Sequence, residues 1–252
     1  MNRDIKGSAK PIPSAGSEEG RPGFAPASGF PLWMKIGFWL CIVIAIAVVV
    51  RRVFALSTAP SSHAPPQMAA LDAYFAAHAT LTYVHILCGL AFVVLLPLAF
   101  WSRTRGSAAL ERAIFFLGVI VGLTAYAMSG YAVGGWVERA AVIFFDTLFL
   151  FALYRAWSFA RLGDGQRKQR WMLRAVAILL GIATTRPVMG VFFATAAITH
   201  LKPSQFFGFA FWIGFSINTI VIELWLRRGS RRAAKEARLR SALSGTKSMS
   251  HP

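Results

Sequence analysis

Residues 73–102 form a run of thirty without a single Lys, Arg, Asp or Glu. Two further uncharged runs follow at 113–137 and 203–222. A predominantly apolar stretch of roughly 18 or more residues is long enough to cross a bilayer as a helix. Inside hydrocarbon no water is on hand for backbone N–H and C=O groups, so these must pair within the protein. The runs lack the alternating pattern of barrel strands, so helices are the expected solution. The chain is therefore read as all-α. Soluble globular, fibrous and disulfide-rich secreted classes are excluded. Composition agrees, with 15% charged residues against about 25% in soluble domains.

The apolar runs resolve into six expected spans, at about 32–50, 80–101, 113–136, 137–161, 171–198 and 204–226. Residues 1–30 are rich in Gly, Pro, Ser and Ala and read as a disordered tail. Residues 31–228 form the membrane domain, and 229–252 a basic tail. Residues 57–70 are a polar, Pro-rich connection, and 71–79 read as a short helix at the membrane interface.

The net charge is +17. Its location argues against a nucleic-acid partner, because the basic residues sit at the ends of the apolar runs and in the C-terminal segment. That is the pattern that sets membrane orientation. Twenty Lys and Arg lie in the two termini, the second-to-third loop and the fourth-to-fifth loop. The opposite side holds Arg51, Arg52, Arg139 and Lys202. Both termini are thus expected in the cytoplasm of a bacterium with a multi-pass inner-membrane protein, the lipid bilayer being its first partner. The basic C-terminal tail is a candidate for contact with anionic lipid. The sequence does not indicate an oligomeric state. Cys41 and Cys88 lie within apolar runs and read as small buried hydrophobes.

Ionisable groups within spans are costly and are therefore functional candidates. At about 1.5 Å of rise per residue, His85, Asp146 and Arg186 fall at similar depth in the outer half, just below Arg51 and Arg52. A lone carboxylate in hydrocarbon is protonated or paired, so Asp146 is expected opposite Arg186, with His85 nearby. The functional reading is a pocket for an anionic headgroup, a quinone or a proton path. The alternative is an interhelical salt bridge that fixes packing. Pro187 follows Arg186 and cannot donate a backbone hydrogen bond, which favours the pocket. A second group, Arg155, Arg174, Asn218 and Glu223, lies near the inner surface and reads as a structural polar cluster. Gly118, Gly122, Gly130 and Gly134 provide a small-residue face for close helix packing. No metal or other cofactor is expected. A b-type haem between helices commonly needs two His ligands, and His85 is the one His well inside a span.

The segment Gln169-Arg170-Trp171-Met172-Leu173-Arg174, then Thr184-Thr185-Arg186-Pro187, then Asn218 through Glu223 with Arg227-Arg228, resembles a bacterial membrane-protein family. It is the family catalogued as domain of unknown function 2306, and the resemblance covers about residues 80–228. It implies a multi-pass fold and site residues His85, Arg170, Trp171, Arg174, Arg186, Asn218 and Glu223. This chain departs from the family pattern at two positions, carrying Glu111 and Gln169 where relatives typically carry His. The combined expectation is a non-enzymatic membrane protein with a small polar site for a lipid-like or quinone-like ligand or a membrane partner. A proton-coupled transporter and a haem- or quinone-linked redox subunit are the rivals.

Overall fold

The computed structural model describes residues 30–57, 73, 75–100 and 107–248. The tail 1–29, most of the 57–70 connection and part of the expected interfacial helix lie outside the described residues. Among the described residues there are six long helices: α1 (Leu32–Ser57), α2 (Ala79–Phe100), α3 (Ala108–Ser129), α4 (Gly135–Arg161), α5 (Gly165–Thr199) and α6 (Pro203–Ser248). The described residues contain no strand. Five of the six are long and apolar enough to cross a membrane. The exception is α4, whose 27 residues include Glu138, Arg139, Asp146, Arg155 and Arg161. It nevertheless packs between α3 and α5.

Hydropathy locates the part of a helix in lipid, not its ends, and the boundaries shift accordingly. The third expected span, 113–136, is α3 beginning five residues earlier and ending at Ser129. The last, 204–226, is a 46-residue helix that continues into the basic tail. Local signals set the stops. At the end of α4 the Gly163 amide donates to the Ala160 carbonyl and the Asp164 amide to the Phe159 carbonyl, at 3.2 and 3.0 Å. This is a Schellman closure, with Gly163 at the left-handed position, φ 72°. Asp164 then caps α5, its carboxylate accepting from the Arg167 amide at 2.9 Å. Two residues thus end one helix and start the next.

Packing follows α1–α2–α3–α4–α5 and back to α1, a closed ring of five helices, with α6 laid across α4 and α5. Successive helices run antiparallel. A ring with an odd number of members cannot alternate throughout, and the one parallel seam is α1 against α5. There the Cys41 thiol meets the Thr184 hydroxyl at 3.8 Å; both cysteines are free. Small residues permit the close contacts. A methyl added at Gly122 would sit 2.5 Å from Leu150, and one at Gly118 2.8 Å from Leu153. The glycine face of α3 thus serves packing within the chain, against α4. At the α4–α6 crossing, a methyl on Gly134 would meet the Gly208 amide at 2.7 Å. The core is aliphatic and aromatic, centred on Phe92, Leu96, Ile114, Phe145, Phe149 and Met172. The exterior is apolar as well, with Trp33, Phe116, Phe209 and Ile220 exposed. Such a surface suits lipid rather than water.

Candidate functional site

The ring surrounds a partly open cavity of about 460 Å³ in the half of the bundle opposite the basic helix ends. All five ring helices line it, and Phe207, Phe211 and Phe215 of α6 reach it between α4 and α5. Most of the wall is apolar, including Val93, Val121, Phe149, Ile178 and Leu179. Thr82, Ser129, His78 and Tyr131 add polar groups, and the remaining ionisable residues come from four helices. Arg51 and Arg52 come from α1, His85 from α2, Glu138 and Asp146 from α4, and Arg186 from α5. The structure therefore brings His85, Asp146, Arg186, Arg51 and Arg52 to one chamber.

It does not pair Asp146 with Arg186, contrary to the expectation from depth. Oδ2 of Asp146 and Nε of Arg186 are buried without a hydrogen-bond partner. Arg186 reaches Met189 Sδ through Nη1 at 3.6 Å. The acid that attracts Arg186 electrostatically is Glu138, while Arg51 and Arg52 repel it. Helical rise fixes a residue's height in the bundle but not which neighbour its face meets, and α4 presents Glu138 to Arg186.

Glu138 is the site residue that sequence reasoning missed. It closes an uncharged run and so reads as a span boundary. In the fold it is 8% exposed, because the glycine crossing of Gly134 and Gly208 brings α6 over the start of α4. Its Oε2 accepts the Gly134 amide at 2.5 Å. Its helical register with Asp146, eight residues on, was the available signal, since both lie on one face.

His85 is held by Thr124 of α3, with Nδ1 to Oγ1 at 2.9 Å. The Thr124 hydroxyl lies 2.7 Å from the Ile120 carbonyl, to which it donates. Thr124 thereby ties the His85 ring to the backbone of α3. At the upper rim the Arg52 guanidinium stacks over Phe75 at 4.1 Å. His78 lies against Tyr131 with ring centroids 3.7 Å apart.

The inner group divides. Glu223 binds two arginines, Arg174 and Arg227, each through Nε at 2.9 Å. Asn218, deeper, accepts from Thr184 at 2.9 Å and donates to the Ala177 carbonyl at 3.3 Å, tying α6 to α5. Arg155 does not join the ion pairs. Its Nε is buried without a partner, and its guanidinium lies over Phe159 and Trp171, at 5.0 and 5.3 Å from the ring centroids. Arg170 donates to the Leu226 carbonyl and the Ser230 hydroxyl. Glu111 forms an ion pair with Lys168 at 2.9 Å, linking α3 to α5. Gln169 is buried. Among the described residues no three His, Cys, Asp or Glu side chains gather as a metal-ligand group.

No curated protein and no solved structure matches the chain. Residues 82–226, which include α3 to α5 entire, all but the first turn of α2 and α6 as far as Leu226, match the family described as predicted membrane protein (DUF2306), and the chain belongs to that family.

Proposed function

We propose that this protein binds one amphiphilic, lipid-like molecule within its five-helix ring, as a non-enzymatic membrane protein of the bacterial inner membrane. The observation that carries the reading is an apolar chamber of about 460 Å³ that also holds two buried polar atoms without partners, on Asp146 and Arg186. Ligand pockets commonly occupy about 300–1,000 Å³ and combine apolar walls with a few convergent polar groups. A buried polar atom without a partner costs about 1–3 kcal/mol, a cost that a ligand headgroup relieves. Three guanidiniums against two carboxyl groups favour an acidic or strongly accepting head, seated at Arg186, with its apolar part among Val93, Phe149 and Leu179.

A quinone-like ligand is the second reading, favoured by the His85 imidazole and the unpartnered Asp146 carboxyl that line the same cavity. Together they suit a ring that presents hydroxyl or carbonyl oxygens.

Native mass spectrometry of the full chain in detergent tests the proposal. Gly89 lines the cavity, and a methyl there meets nothing within 4 Å, so Gly89→Leu is chosen to intrude on the chamber from a position where its first carbon clashes with nothing. The wild type is expected to carry one amphiphile per chain, and Gly89→Leu to lose it while melting no lower. Equal retention by the two proteins, or none by either, overturns the reading. The mass and absorption spectrum of the released molecule separate a lipid from a quinone.

A further inference from the structure

The opposite end of the bundle carries a second, smaller pocket of about 170 Å³, lined by Arg167, Arg170, Trp171, Arg174, Leu226, Arg227 and Ser230. Four arginines on one small concavity would repel one another unless something offsets them. Part of the offset is built in. Glu223 takes Arg174 and Arg227, and Asp164 takes Arg167 at 3.3 Å. In all three pairs the arginine uses Nε. The Nη ends of those three guanidiniums, four N–H groups each, are left by these bonds for a guest. Trp171 sets the plane of one fork, with the Arg174 guanidinium 4.7 Å from its ring centroid. Ser230 adds a hydroxyl that already touches Arg170.

Four guanidiniums against two carboxylates leave two positive charges. Planar forks with paired N–H groups match the oxygens of a phosphate, and charge-assisted bonds of this kind are roughly twice as strong as neutral ones. The pocket sits at the lower edge of the membrane part of α6, which spans Pro203–Arg231, where lipid headgroups lie. We propose that this pocket is a phosphate site, taking a phosphate group from a lipid headgroup or from a small soluble phosphate. Glu223 acts in it as a clamp that holds Arg174 and Arg227 by their Nε atoms and turns the forks outward. The site is distinct from the ring cavity and from general attraction of the basic tail.

The test uses the full chain in detergent with three probes: phosphatidylglycerol, a phosphate-free galactolipid and inorganic phosphate. Arg167 and Arg227 have side chains 67% and 68% exposed, so the pair Arg167→Gln and Arg227→Gln removes charge at the pocket with little risk to folding. Arg228→Gln with Arg231→Gln removes the same charge outside it. Phosphatidylglycerol is expected to be retained over galactolipid in native mass spectra, and the pocket pair to weaken it about tenfold. The outside pair should leave it unchanged. A rise in melting temperature with inorganic phosphate, lost in the pocket pair, assigns the site to soluble phosphates; a response to the lipid alone assigns it to headgroups. Equal binding of the two lipids with no phosphate effect, or equal weakening by the two pairs, overturns the proposal.

Discussion

Asp146 and Arg186 face one chamber from neighbouring helices without bonding to each other, and Glu138, two turns nearer the start of α4, supplies the attraction that Arg186 feels. Double-mutant cycles should reflect this arrangement. Glu138→Gln and Arg186→Gln are expected to couple by about 1–2 kcal/mol, because removing one strands the other in a buried site. Asp146→Asn and Arg186→Gln should add within about 0.5 kcal/mol. The measurement is unfolding in detergent of the single and double variants. A larger coupling for Asp146 than for Glu138 would restore the salt bridge expected from depth.

The glycine contacts give a graded expectation. A methyl on Gly214 would lie 2.7 Å from the Thr185 amide nitrogen, and one on Gly208 2.7 Å from that of Glu138. Backbone cannot rotate away as a side chain can, so Gly214→Ala and Gly208→Ala should each cost about 1–3 kcal/mol. At Gly190 a methyl meets nothing within 4 Å, and Gly190→Ala should be neutral or stabilising by up to about 1 kcal/mol. Melting temperatures of the three variants decide the order.

Loss of the Glu223 carboxylate removes both of its arginine bonds at once. The groups are partly exposed, with side-chain values of 25% for Arg174 and 33% for Glu223, so solvent screens the pair. Glu223→Ala is expected to lower stability by about 1 kcal/mol, the scale of interhelical polar contacts in membranes. Under the clamp described above it should also weaken phosphate retention. A variant with wild-type melting and wild-type phosphate response would remove Glu223 from both roles.

Topology is open to direct measurement. The charge bias of the loops and an even number of crossings, which requires α4 to cross with the five apolar helices, predict that a reporter fused after Gly229 is active in the cytoplasm and one fused at Ser62 on the outer side. A C-terminal reporter active outside would reverse the assignment of the cavity to the outer half.

The sequence displayed the helices more clearly than their relations. Hydropathy isolates α1 to α6 because lipid demands it, yet α4 escapes the length-and-apolarity criterion through the charges that make it interesting. Height was legible: His85, Asp146 and Arg186 were expected in one half and line one cavity. Facing was not, because it depends on helix rotation and on which helices touch. Glu138 remained hidden for the same reason. Its burial is produced by Gly134 and Gly208, 74 residues apart, and no local pattern encodes their meeting. Arg155 likewise carries a charge that suggests an acid partner, whereas its surroundings are aromatic.

The parallel seam between α1 and α5 has a consequence for the shape of the chamber. The family match begins at residue 82, so α1, with Arg51 and Arg52, lies outside it. The shared helices supply four staves of a barrel and the brace across two of them; the fifth stave comes from beyond the common part. Take that stave away and the chamber loses the side that carries Ala45, Val48 and Val49 and, with it, two of its three guanidiniums.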